Sequence, residues 1–260
     1  MPRYAFQLEY DGSGFAGWQK QANSLTVQEC VEAALRRLDD LAGSVVAAGR
    51  TDSGVHALCQ VIHCDLDKGW EGGKLCDALN AQLRPHAVAA VTAVRTDAGF
   101  SARFSAVRRS YLYRLMIRRA PMVLERQFLW QLSRQLDVGR MREAAEFLIG
   151  RHDFTTFRSA HCQADSPVKT LDGIKIETFE RSGGLELRVR VTARSFLHRQ
   201  VRSFVGTLER VGAGMMPPEG VREALEARDR SRCGPVAPAR GLYLERVDYD
   251  PDPFAAGSAG

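Results

Sequence analysis

Asp52 stands two residues after Arg50 in GRTDSGVHA, residues 49–57, a glycine-bearing stretch between two apolar runs. A carboxylate there can act as a nucleophile or take up a proton. The guanidinium beside it can grip phosphate. The same spacing also suits an Asx-type turn, with Gly49 and Gly54 supplying backbone freedom and Thr51 and Ser53 bonding back to the chain. Such a turn has no use for Arg50. A second acidic loop, YDGSGFAGWQ (10–19), carries Asp11 among three glycines, and no lysine follows at a phosphate-loop spacing.

Two later stretches add cations. RFSAVRRSYLYRLMIRR (103–119) interleaves Arg103, Arg108, Arg109, Arg114, Arg118 and Arg119 with Phe104, Tyr111 and Tyr113. Backbone neutralisation combined with base stacking requires that mixture; a core strand with a solvated basic face has it too. In ARSFLHRQVRSFVGTLERVG (193–212), Leu197, Val201, Phe204, Val205, Leu208 and Val211 make one apolar helix face. Arg202 lies at its edge, one turn after His198, where a partly desolvated charge needs an anionic partner such as a carboxylate in an adjoining cleft. His56, Cys59, His63 and Cys64 are dense in nitrogen and sulfur ligands, but alternation along a strand keeps them from converging on a tetrahedral site.

The totals narrow the function classes. The chain has 260 residues, 45% of them hydrophobic, enough for a sizeable core. Its net charge is +5, and 31 of its 36 basic residues are arginine, which favours a polyanionic partner. Six cysteines without a CxxC pair, and no signal-peptide pattern at the start, point to a reducing cytoplasmic compartment. No apolar run approaches the roughly 20 residues that cross a bilayer, so no membrane role is expected.

The elements that must position these residues follow from periodicity. YAFQLEY (4–10) alternates as a strand, and Thr26 three residues before Glu29 opens a helix over 27–42 that closes at Gly43. SVVAAG and ALCQVIHCDL are strands, GKLCDALNAQL is a helix stopped by Pro85, and AVAAVTAVRT is a strand. The second half repeats the order: RRSYLYRLMIRR as strand, VGRMREAAEFLIG as helix, KTLDGIKIETFE and LELRVRVTA as a strand pair. FLHRQVRSFVGTLERVG then reads as helix, PEGVREALEAR as a short extra helix, and GLYLERVDY as the closing strand. The predicted class is α+β: two ferredoxin-like β-α-β-β-α-β halves sharing an extended, mainly antiparallel sheet with helices on one side. Residues 1–100 form the first half and 101–249 the second, with a disordered tail over 250–260.

Five ordered blocks, YDGSGFAGWQ…TVQE, AGRTDSGVHA, ARFSAVRRSYLYRL, HDFTTFR and FLHRQVRSFVG…GLYLERVDY, resemble the bacterial tRNA pseudouridine synthase A family over about residues 3–249. The resemblance implies isomerisation of uridine to pseudouridine at positions 38, 39 and 40 of the tRNA anticodon stem-loop, by a homodimer, with no metal or organic cofactor. It makes Asp52 the essential aspartate and Arg50 the residue that displaces the target base and holds the phosphate backbone. Tyr111 would pack on the flipped base or assist proton removal from C5, and Arg202 would pair with Asp52 to keep it ionised and aimed. Asp11, Arg109, Arg158 and His198 complete the RNA-binding candidates. Ser53 stands where the family motif most often has alanine, and RPHAVAA after Asn80 departs from the commoner acidic form.

One carboxylate suffices for such a reaction, whether it adds to the uracil ring, captures C1′, or abstracts a proton to give a glycal. Two other classes are compatible with the residues alone. One is a non-catalytic RNA-binding module on a ferredoxin-like platform. The other is a nucleoside hydrolase that uses Asp11 together with Asp52.

Overall fold

The structure, a computed structural model, describes residues 1–160 and 162–255. In chain order the elements are β1 (Arg3–Tyr10), α1 (Val27–Leu38), β2 (Leu41–Ala47), β3 (His56–Leu66), α2 (Gly72–Leu83), β4 (Val88–Thr96) and β5 (Ala106–Ile117). They continue with β6 (Trp130–Leu132), α3 (Val138–Glu146), β7 (Gly150–Asp153), β8 (Val168–Arg181), β9 (Gly184–Ala193), α4 (Gln200–Gly212), α5 (Glu219–Ala227) and β10 (Leu242–Tyr249). The fold class is α+β, as the periodicity predicts. By its contacts the chain separates into two units: Met1–Arg109 together with the residues from Tyr243 onward, and Ser110–Leu242. The division falls inside β5 rather than after residue 100. The closing strand β10, read from chain order as the end of the second half, belongs with the first unit because Tyr243 and Leu244 pair in parallel with His56 and Ala57 of β3.

In the first unit the strand order is β4-β1-β3-β10, and β2 pairs with the far part of β3 through Ala47↔Ile62 and Val46↔His63. β1 is antiparallel to both neighbours, with Phe6 opposite Ile62 and Ala93. Tyr4, Phe6 and Leu8 are fully buried, as alternation predicts, and so are Val27, Val31 and Leu35 of α1 and Leu75 and Leu79 of α2. Each such side chain stabilises the fold by about 1.5–3 kcal/mol. Thr26 caps α1 by accepting from the Glu29 N–H at 3.3 Å. The helix ends at Leu38, short of the predicted Gly43. Asp39 leaves the helical region, and its carboxylate takes the N–H groups of Asp40, Lys68 and the Trp70 indole, which fixes the turn into β2. Gly43 therefore lies within β2, at a φ of 73° where the pairing with β3 shifts register.

In the second unit the order is β5-β9-β8-β7, with β6 parallel to β5. β8 and β9 form the predicted hairpin, while the short strands β6 and β7 carry too few residues to show a period. Phe154, Phe157 and Phe204 are fully buried and pack edge to face at centroid distances of 5.1–6.5 Å. The helix predicted from Phe196 begins instead at Gln200. Arg199 takes a left-handed φ of 63°, and the Gln200 side-chain oxygen accepts from the Leu197 N–H, so His198 sits in the loop before α4.

The tail expected to be disordered begins with a turn, in which the Phe254 N–H donates to the Asp252 carboxylate at 2.9 Å. Residues 256–260 lie outside the described residues. Among the described residues, no helix is long and apolar enough to cross a membrane.

Candidate active site

Asp52 sits, partly exposed, on the loop between β2 and β3, with Arg50 exposed beside it. Both flanks of the carboxylate are fastened. Ahead of it, the Gly49 carbonyl accepts from the Gln60 amide at 2.7 Å, the Thr51 carbonyl accepts from the Trp18 N–H at 3.0 Å, and the Thr51 hydroxyl lies 2.8 Å from the Tyr10 phenol. Behind it, the Val55 N–H closes the turn onto the Asp52 carbonyl at 3.1 Å, and the Ser53 hydroxyl donates to the Phe15 carbonyl at 3.2 Å. Ser53 thus ties the Asp52 loop to the neighbouring loop.

That neighbouring loop is YDGSGFAGWQ, and two of its three glycines, Gly12 and Gly17, are needed for close contact. A Cβ on Gly12 would overlap the Val55 carbonyl, and one on Gly17, at a φ of 103°, would approach the Thr51 carbonyl to 2.7 Å. Asp11 accepts from the Ser13 N–H at 2.9 Å and caps a one-turn 3-10 helix over Gly12–Gly14. The buried His56 ring stacks on Tyr243 at 4.8 Å, and its Nδ1 lies 3.1 Å from both the Gly12 N–H and the Asp11 carboxylate. Nδ1 accepts from the first when it carries no proton and donates to the second when it does.

Arg109 is 8% exposed, and its guanidinium donates to backbone carbonyls: to Ala48 through Nε and Nη2 at 3.1 and 2.9 Å, and to Arg103 through Nη2 at 2.6 Å. It holds the start of the Asp52 loop. Sequence reasoning had no access to this, since the carbonyls it bonds carry no residue signature. Gln60 carries no motif signature either. The available signal was a glutamine inside the apolar run ALCQVIHCDL, because a buried amide must find partners.

The remaining candidates lie in the second unit. Tyr111 is buried, with its ring edge-on to Phe196 at 5.1 Å. Arg202 is half-buried on the first turn of α4; its Nε donates to the Ala237 carbonyl at 2.7 Å, and its own carbonyl accepts from the Ala237 N–H at 3.1 Å. Burial pushes the Tyr113 phenol far above its ordinary pKa, against the opposing pull of the Arg202 and Arg240 guanidinium groups. The Ser159 N–H donates to the His198 carbonyl at 3.0 Å, which joins the segment bearing Arg158 to the loop before α4. A separate cavity of about 350 Å³, lined by Met116, Arg118, Met122, Leu124 and Arg181, contains none of these residues.

Comparison with known proteins identifies the family. A family model described as tRNA pseudouridine synthase matches residues 7–105 and 144–250. The chain is 59% identical to tRNA pseudouridine synthase A of Cereibacter sphaeroides over 98% of this chain and 100% of that protein. It is 58% identical to the protein of the same name from Dinoroseobacter shibae, over 98% and 99%, and 54% identical to that of a Ruegeria species, over 97% of each. With both the Asp52 loop and the α4 segment inside the matched ranges, the chain belongs to the tRNA pseudouridine synthase family.

Proposed function

We propose that this enzyme isomerises uridine to pseudouridine at positions 38, 39 and 40 of the tRNA anticodon stem-loop, with Asp52 as the essential carboxylate acting on a flipped-out base. The family supplies the reaction class. The observation that supports the residue is the loop itself: a partly exposed carboxylate whose flanking residues are bonded at Gly49, Thr51, Ser53 and Val55. Such anchoring aims one group at a substrate with little reorganisation.

The reaction breaks the bond from C1′ to N1, turns the base, and joins C1′ to C5; C5 releases a proton and N1 gains one, so nothing is consumed. Ring addition, C1′ capture and the glycal path each need one carboxylate at this place. Flipping the uridine costs a few kcal/mol, and the exposed Arg50 beside Asp52 is suited to fill the vacated stack. Tyr111 is assigned to the flipped base and Arg202 to keeping Asp52 ionised. Asp11, Arg158 and His198 are assigned to RNA contact. A homodimer working in the cytoplasm completes the reading.

Asp52→Asn is expected to bind tRNA normally and to release no tritium from tRNA labelled at uridine C5; near-normal release overturns the role of Asp52. Arg202→Ala and the double variant with Asp52→Asn should give strongly non-additive losses, since two residues acting as one unit cannot each be lost in full. Pseudouridine mapped chemically in tRNA from cells lacking the protein, before and after its restoration, tests the three positions. Sedimentation tests the dimer.

A further inference from the structure

We propose that the turn over residues 100–105 presents Phe104 as a stacking platform for a base of the bound RNA, with Arg103 supplying charge to the backbone beside it; this rests on tRNA being the substrate.

Phe104 is 75% exposed, yet it does not stand on a loose loop. The Ala102 N–H donates to the buried His63 ring at 3.1 Å, and the Ala102 carbonyl accepts from the Tyr249 phenol at 2.8 Å. The Phe100 carbonyl accepts from Arg3 at 2.8 Å, and Ser101 and Ser105 bond each other across the turn. The Arg103 carbonyl is held by Arg109. A turn tied at these points holds the backbone that bears Phe104 in place before any ligand arrives, which lowers the entropy cost of binding. The Arg103 guanidinium lies 5.2 Å from the ring centroid, so an aromatic face and a cation are offered together. Bases stack on such a pair without regard to sequence, and the phosphates follow the cation.

The turn is also placed for this substrate. The same Nη2 of Arg109 that holds the Arg103 carbonyl holds the Ala48 carbonyl, four residues before Asp52. Arg109 therefore couples the platform to the loop that carries the catalytic carboxylate. A nucleotide near the target uridine is the occupant this geometry fits.

Phe104→Ala, Phe104→Leu, Phe104→Trp and Arg103→Gln are compared in the full-length protein, with circular dichroism to confirm the fold. Phe104→Ala should raise the tRNA Kd and KM about tenfold, within the range of base-on-aromatic stacking. Phe104→Trp should restore affinity and Phe104→Leu should not. Arg103→Gln should reduce the slope of log K against log salt by about one. Full rescue by leucine, or an alanine variant within about twofold of wild type, overturns the platform. So does loss of self-association with tRNA affinity unchanged, which would assign the ring to a second copy of the chain. If wild-type enzyme forms no pseudouridine in tRNA, the proposed function fails while the binding measurements still decide this point.

Discussion

The Tyr10 phenol and the Thr51 hydroxyl meet at 2.8 Å at the end of β1, and this contact anchors the residue next to Asp52. Both groups are buried, and the Gln60 amide approaches the same phenol at 3.5 Å while holding Gly49 at 2.7 Å. Tyr10→Phe keeps the ring and removes the tie. A buried neutral hydrogen bond is worth about 1 kcal/mol, so the melting temperature should fall by a few degrees. The larger effect is expected on kcat, about tenfold down, because misplacement of a positioned group by a fraction of an ångström raises the barrier. Steady-state kinetics beside thermal melts check this; an unchanged kcat with lowered stability would make the contact purely structural.

Gly12 and Gly14 differ by two positions and should respond in opposite ways. A methyl group on Gly12 would collide with the Val55 backbone carbonyl, whereas one on Gly14 meets open space. Gly12→Ala must push the Asp52 loop away and should cost at least about tenfold in kcat/KM, by overpacking of about 1–3 kcal/mol. Gly14→Ala should remain near wild type. Equal behaviour of the two variants in the same tritium-release assay would show that the two loops are not mechanically joined.

What the sequence disclosed, and what it withheld, follows one physical division. Thr26 and the Tyr4-Phe6-Leu8 alternation act through local periodicity, so they were readable. Gly43 and His198 were misplaced because Asp39 and Arg199 end or delay their helices through bonds and backbone angles that a periodic apolar pattern does not encode. The Asp52 loop announced itself through residue types, but its anchors did not. Gln60 and Arg109 bond backbone carbonyls of Gly49 and Ala48, which any residue could have supplied.

Glu186 gives the second unit a predictable acid limit. It is fully buried and accepts from Arg114 and Arg188 at 2.9 Å and from Arg181 at 2.8 Å. Burial alone would raise its pKa, but the bonds from Arg114 and Arg188 outweigh it and hold the carboxyl below the ordinary range. The folded value is thus lower than the unfolded value of about 4.3, so this contribution to stability is present above that pH and is lost as the pH falls through the lower folded value. Glu186→Gln should flatten that acid limb and cost about 2–4 kcal/mol near neutrality by leaving Arg114 short of a partner. Urea unfolding at a series of pH values tests it; parallel profiles for variant and wild type would count against the assignment.

Arg109→Lys separates support of the loop from contact with RNA, the role its position among arginines suggests. A lysine keeps the charge but presents one compact ammonium, which cannot reach the Ala48 and Arg103 carbonyls with the geometry of a planar fork. At least one buried carbonyl then loses its donor, a cost of about 1–3 kcal/mol. Activity should fall with stability, because the loop loses its tie four residues before Asp52. The salt dependence of tRNA binding should stay as in wild type, since no phosphate contact is removed. A conserved melting temperature together with a salt slope reduced by about one on Arg109→Ala would instead make Arg109 an RNA ligand, and would free the Arg103–Phe104 turn from the Asp52 loop.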